Sequence, residues 1–430
     1  MLLAWARATF RSLTDRLIID APSFSETGFL RLVPEPSVVR SAGAAAGPLV
    51  GARMVIDGRD AVSVTFRCAV DGASGVYLVL NTVTDRARDH LELFRMERVG
   101  GVDPWVLSCA LPADVIVSYQ FVPVGPGGLD PRVADDRRAW ARVVASAVRD
   151  RSHPRVLVNG RGHVASLFAG PDARLAWPAV QGDSSYMRAA REVECAVLVA
   201  SGGSSPRRRV AVVHDGDGTP KRTLLVFDGQ IWRANGVGWL TRRYPGLRVV
   251  TIDAGELGER ERELTDAGRV EALVGAVCDE VGVGPIALAG QSYGGLGVLE
   301  AALGGTLPVE CFVAQSPSLW WGGGERGRGE GTLMAALTRG ERRLPDGLTV
   351  WCQVGEREVA MCPVVRRCAG LLDGATSLVK FETYSGGHDV AWWREGLLRA
   401  LDEWCVRGDG AQDDKATPIA PRLGLPTHLL

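Results

Sequence analysis

The residues best suited to chemistry in this 430-residue chain lie at Gly290-Gln291-Ser292-Tyr293-Gly294. The apolar run Pro285–Ala289 precedes them and a helical pattern follows. That is the strand–turn–helix setting a G-x-S-x-G nucleophile requires. Glycines in so tight a turn avoid clashes with the adjoining strand or helix, so the Ser292 hydroxyl stands clear of the sheet. A neutral hydroxyl is a weak nucleophile and needs a base. Chains built on this turn carry first the acid and then the histidine after the serine. Of six histidines, only His388 and His428 follow Ser292. His428 lies in a Pro/Gly-rich tail. His388 lies in Ser385-Gly386-Gly387-His388-Asp389, between the last strand pattern and the last helix pattern, and is selected as the base.

The acid stays open. It should follow the strand run Val350–Val354, where Gly355-Glu356-Arg357-Glu358 offers two carboxylates. The commoner spacing, three residues past the glycine, favours Glu358. Glu356, Asp389 or a bare Ser292–His388 pair are the alternatives, and a solvated charged loop is the plainest reading of both glutamates. Acyl transfer also needs donors aimed at the developing oxyanion. One is the backbone N–H of Tyr293. The other is a backbone N–H among Gln230 to Trp232, represented by Gln230, in the turn after the run Leu224–Phe227.

These groups need a sheet to hold them. From Glu194 onward, apolar runs recur at Ala196–Ala200, Val210–Val213, Leu224–Phe227, Val249–Ile252, Ile286–Ala289, Cys311–Val313, Val350–Val354 and Leu378–Tyr384. Helix-like segments separate several of them, which reads as an α/β domain with a mostly parallel sheet, helices on both faces. Upstream, Val62–Cys68 alternates at period two, and Val76–Leu80, Trp105–Cys109 and Val115–Val124 are strand-length runs. This is the texture of a small β-sandwich. The expected division is an N-terminal extension (1–50), a β-sandwich (51–130), a linker with one helix near 135–151 (131–190), the α/β domain (191–407) and a tail (408–430).

Composition removes several functions. There are 49 basic and 50 acidic residues, a net charge of −1, so nothing points to a nucleic-acid binder. Lys221, Lys380 and Lys415 are the only lysines, and none sits in a phosphate-binding Gly-Lys-Ser/Thr loop. No apolar run is long enough to span a membrane, and Arg7 and Arg11 break up the apolar start before a leader core forms. The nine cysteines are scattered, lack C-x-x-C spacing and are expected as buried thiols of a cytoplasmic protein. Gly322-Gly323-Gly324-Glu325-Arg326-Gly327 matches G-x-G-x-x-G only formally and reads as a loop near the site. His214-Asp215-Gly216-Asp217-Gly218 lacks the remaining ligands of a calcium loop and reads as a polar hairpin. No metal site and no cofactor are expected.

Several stretches resemble, in order, the enterochelin (enterobactin) esterases of the esterase D group of α/β-hydrolases. They are Leu225–Trp232, Arg260-Glu261-Arg262-Glu263-Leu264, Ala289–Gly295, Gln315–Trp321, and Gly386-Gly387-His388-Asp389 with Trp392-Trp393-Arg394. The likeness covers roughly 190–406. Upstream, Val64–Val124 and Gly160–Ser166 resemble the family's immunoglobulin-like (early-set) N-terminal domain and its linker. The resemblance implies hydrolysis of the serine ester (lactone) bonds of a ferric catecholate siderophore, with iron entering as part of the substrate. An anionic iron–catecholate complex wants cationic and aromatic surface. Arg260, Arg394, Trp232, Trp320 and Trp321 are the candidates, although Arg260 also suits an internal pair with Glu263. The β-domain is expected to capture substrate rather than take part in chemistry. The alternative function is an esterase acting on other acyl, feruloyl or sugar esters. No membrane or nucleic-acid partner is expected, and the oligomeric state stays open.

Overall fold

The computed structural model describes residues 24–33, 46–98, 104–178, 191–199, 207–281, 284–323, 327–372 and 376–410. The first 23 residues, the tail beyond 410 and the Gly101–Asp103 part of the family-like stretch lie outside them.

Among the described residues the N-terminal half carries nine strands: β1 (Leu30–Leu32), β2 (Leu49–Ile56), β3 (Arg59–Cys68), β4 (Gly75–Leu80), β5 (Glu97–Arg98), β6 (Trp105–Pro112), β7 (Ile116–Val124), β8 (Val156–Val158) and β9 (Val164–Ala169). They form two antiparallel sheets. One runs β1-β6-β3-β2 with β5 on β6, and the other runs β4-β7-β9-β8. The alternation of β3 buries Val62, Val64 and Phe66 against Leu78, Tyr119 and Phe168 of the second sheet, in one shared core. Phe66 meets Tyr119 edge-on at 4.9 Å and Phe168 at 5.8 Å.

This sandwich is larger than the sequence division. Leu30–Leu32, placed in the extension, pairs with β6. Residues 131–178, placed in the linker, supply β8 and β9. They also supply the helix Arg137–Ala145, whose Trp140 and Val144 enter the same core. Pro154, Gly160 and Gly162 punctuate strands of three and six residues, so the segment reads as irregular although both strands pair.

The eight apolar runs of the second half are the eight strands of one sheet: β10 (Arg191–Val199), β11 (Arg207–Asp215), β12 (Arg222–Phe227), β13 (Leu247–Ile252), β14 (Ile286–Gln291), β15 (Cys311–Gln315), β16 (Thr349–Gly355) and β17 (Leu378–Tyr384). The order is β10-β11-β13-β12-β14-β15-β16-β17. The six strands from β13 to β17 are parallel, and β10 and β11 are antiparallel. The loop after β11 does not close the expected hairpin, because β11 pairs with β10 and β13 rather than β12. Helices Ala267–Val281, Tyr293–Gly304, Thr332–Thr338 and Cys362–Leu372 cover one face. The last helix, Val390–Gly410, packs Leu397, Leu401 and Trp404 on the other and runs three residues into the expected tail. Among the described residues no helix is long and apolar enough to cross a membrane.

Candidate active site

Ser292 sits between β14 and the helix Tyr293–Gly304 with φ 58° and ψ −116°. Few non-glycine residues hold such a backbone, and strain of this kind collects at functional turns. The turn closes because neighbours lack side chains. A Cβ on Gly290 would lie 2.4 Å from the Gly294 carbonyl oxygen, and one on Gly295 would lie 2.7 Å from that of Gln315. Gly294, the second motif glycine, would meet nothing nearer than 3.4 Å. The steric demand therefore falls on Gly290 and on Gly295, outside the motif. The Ser292 N–H donates to Gln315 O and the Ser318 N–H donates to Ser292 O, both at 3.0 Å. The Ser292 hydroxyl pairs with Ser318 Oγ at 3.3 Å.

Of the three candidate carboxylates, Glu358 is the one that reaches His388. It follows β16, is fully buried, and accepts His388 Nδ1–H at 2.7 Å on Oε2. On Oε1 it accepts the Ser316 hydroxyl at 2.6 Å and the Gly355 N–H at 3.0 Å. Burial alone would raise this carboxyl. The His388 charge and the bonds from His388, Ser316 and Gly355 outweigh it and hold Glu358 below its ordinary value. Glu356 turns to Arg59 of the sandwich at 2.7 Å. Asp389 accepts the Ser118 N–H at 2.7 Å and the Ala391 N–H at 3.0 Å. With Nδ1–H given to Glu358, His388 Nε2 is the proton acceptor. The ring also meets Trp393 edge-on at 5.0 Å.

The turn after β12 is built around Asp228, held at φ 58°. Its carbonyl accepts the Ile231 N–H at 2.9 Å and the Trp232 N–H at 3.4 Å. The amide of Gln230, in the first turn of helix Gly229–Ala234, has no partner among the described residues. Arg260 clamps the Asp228 carboxylate with two bonds, at 2.5 and 2.7 Å. Burial would lower this guanidinium, but the Asp228 charge and hydrogen bond raise it above its usual value. The internal pair considered with Glu263 is therefore made with Asp228 instead, and Glu263 takes Arg209. Tyr293 is buried and its hydroxyl donates to Glu261 at 3.0 Å.

Ser292, His388, Glu358, Tyr293, Gln230, Arg260, Trp232 and Trp320 all line one cavity of about 780 Å³. Two candidates do not. Arg394 is 1% exposed, near the Trp177 ring at 6.0 Å, where no substrate reaches it. Its charge in a family-like stretch made it a substrate candidate, but it is enclosed within the last helix's packing. Trp321 stands behind the wall against Tyr293 at 5.4 Å.

The opposite wall comes from the sandwich and was invisible in the linear pattern. Arg86, Arg88 and Arg137 line it and make no ion pair among the described residues, while Arg161 pairs with Asp85 at 3.1 Å. Trp140 lies beside them, its indole donating to Asp85 at 2.7 Å. Burial lowers the Arg86 guanidinium from its usual value. Beneath the site, Gln291, Gln315 and Gln353 occupy one register across β14, β15 and β16. Gln291 donates to Gln315 at 3.1 Å and Gln315 to Gln353 at 2.8 Å. A glutamine near the end of three successive apolar runs was the sequence signal for this ladder.

A family model described as "Enterochelin esterase, N-terminal" matches residues 62–177. The chain is 28% identical over 354 residues to the iron(III) enterobactin esterase of Escherichia coli O6:H1, covering 76% of this chain and 86% of that relative. It is 26% identical over 352 residues to the iron(III) salmochelin esterase of the same strain, covering 76% and 83%. The crystal structure of the enterobactin esterase from Shigella flexneri in the presence of enterobactin superposes with TM-score 0.67 at 25% identity. That match covers 86% of this chain and 98% of the other. The same esterase in the presence of 2,3-dihydroxy-N-benzoyl-serine gives TM-score 0.66 at 25% identity, over 87% and 100%.

Proposed function

We propose that this chain, which belongs to the enterochelin esterase family, hydrolyses the serine ester bonds of a ferric catecholate siderophore. The observation that carries the reading is the cavity itself. A serine, a histidine–glutamate pair and a helix amide face three arginines, the amide and the arginines without hydrogen-bond or ion-pair partners respectively among the described residues, across a space of about 780 Å³. Pockets for small molecules run from about 300 to 1,000 Å³. An anionic catecholate complex suits that cationic wall, and simple acyl or sugar esters give it nothing to bind. The relatives named above do not favour that alternative.

In the proposed reaction, Ser292 turns from Ser318, passes its proton to His388 Nε2 and attacks the ester carbonyl. Glu358 holds the imidazole through Nδ1–H. The amides of Tyr293 and Gln230 receive the oxyanion, whose collapse breaks the ester C–O bond and expels the alcohol oxygen, protonated by His388, to leave an acyl-enzyme on Ser292. Water activated by His388 then hydrolyses that ester, freeing the new carboxylate and the Ser292 hydroxyl. Iron arrives with the substrate and needs no protein ligands. The sandwich corresponds to the family's immunoglobulin-like domain, and the reaction belongs in the cytoplasm, where opening the ring loosens iron. The test is turnover of ferric and iron-free enterobactin beside nitrophenyl acetate, with Ser292→Ala as control. Siderophore cleavage that drops by about 10⁶ in Ser292→Ala supports the reading. Cleavage of the acetate with no action on either siderophore form refutes the substrate assignment.

A further inference from the structure

The sandwich wall does more than face the cavity. Residues 385–389, which carry the histidine, are gripped by it along their length. Arg59 donates to Ser385 Oγ at 2.9 Å, and the Ile116 N–H donates to Ser385 O at 2.9 Å. The Ser118 N–H reaches Asp389 at 2.7 Å. One contact falls on the histidine itself: the His388 N–H donates to Thr82 Oγ1 at 2.7 Å.

Thr82 is unusual at this place. It is buried, β-branched, and held at φ 68°. A β-branched residue there is a genuine outlier, kept only where surroundings over-determine it. The surroundings are visible. Its N–H donates to Asp85 Oδ2 at 3.0 Å, and its hydroxyl donates to Asn81 Oδ1 at 3.0 Å. With the hydroxyl proton so directed, an oxygen lone pair is left for His388. The facing loop is fitted to it as well: a Cβ on Gly387 would lie 2.2 Å from Thr82 Cβ.

We propose that Thr82, on the β-sandwich, is a positioning residue for the hydrolytic step, fixing the His388 backbone so that its ring is held by Glu358 in the cavity that Ser292 also lines. The ring end of His388 is set by Glu358 and the backbone end by Thr82, so the catalytic pair is completed across the interface between the two units. The inference rests on the hydrolase reading above but not on the identity of the ester.

The experiment uses the full chain and measures kcat and KM for nitrophenyl acetate, a substrate too small to need the arginine wall. Thr82→Val keeps the shape and removes the acceptor. Its kcat is expected to fall about 10–100-fold with KM little changed, since a misplacement near 1 Å costs about 10². Thr82→Ser should recover most of that loss. Should Thr82→Val fail to fold, Thr82→Gly takes its place, because it removes the hydroxyl while tolerating the positive φ. A folded Val or Gly variant with wild-type kcat, a loss confined to KM, or a Ser variant as slow as Val overturns the proposal. A wild type inactive on every ester overturns the hydrolase reading and this one together. A wild type that cleaves acetate but not ferric enterobactin overturns the siderophore reading alone, and the acetate kcat of the Thr82 variants still decides this one.

Discussion

Ser316 Oγ donates to Glu358 Oε1 at 2.6 Å, and the indole N–H of Trp393 donates to the same Ser316 oxygen at 3.0 Å. Ser316 itself is fully buried at φ 44°. The chain Trp393–Ser316–Glu358–His388 thus holds the acid from the side opposite the imidazole. Ser316→Ala would leave one carboxylate oxygen short of a donor and one buried indole without an acceptor, each costing about 1–3 kcal/mol. The melting temperature should fall, and kcat should drop about tenfold with KM held. An unchanged kcat in a folded variant would remove Ser316 from the support of the site.

The two glutamates after β16 should separate cleanly. Glu358→Gln removes the charge that stabilises the imidazolium and permits the wrong tautomer, so kcat should fall on the order of 10³–10⁴. Glu356→Gln breaks a partly exposed pair with Arg59, of the kind that contributes about 0–1 kcal/mol, and should leave kcat within about threefold. Steady-state kinetics on the two variants decide it, and the reverse ranking would move the acid by two residues.

Arg260→Ala should behave as a structural loss. Its guanidinium is 17% exposed and its charge is taken up by Asp228. Breaking such a pair from one side costs about 3–5 kcal/mol. Thermal melting should show a large destabilisation, and kcat should fall for small and large esters alike as the Gln230 turn loosens. A rise in KM for ferric enterobactin alone, with normal melting, would instead make it a substrate arginine.

Acid sensitivity has a definite sign at Glu358. Its folded-state value lies below the ordinary 4.5, so the unfolded chain takes up the proton more readily. The stability it contributes is full above pH 4.5 and drains away as pH falls through the lower folded value. Denaturant melts below pH 4.5 should show the wild type losing more stability than Glu358→Gln. Parallel loss in the two proteins would place the sensitivity elsewhere.

Much of the site was legible because its signals are local. The elbow at Ser292 needs small residues in a short turn between a strand and a helix, and that requirement is written in five consecutive positions. His388 followed from chain order, and the strands of the large sheet stood out because strands buried on both faces must be apolar throughout.

Tertiary structure decided what depends on residues meeting across long separations. Spacing favoured Glu358 over Glu356 without settling the choice, and the path of the loop is what sends one to His388 and the other to Arg59. Arg260 and Arg394 look alike as charges in family-like stretches, yet one lines the cavity in a pair with Asp228 and the other is enclosed. The sheet is mostly parallel as read, but which strands depart from that, β10 and β11, was hidden because strand direction leaves no mark in composition. The deepest gap is the contact of Thr82 with His388, 306 positions apart. A single hydroxyl in a β-domain carries no periodicity and no motif. Its role exists only because two separately cored units are folded against each other, and that juxtaposition is a property of their surfaces rather than of any local run of sequence.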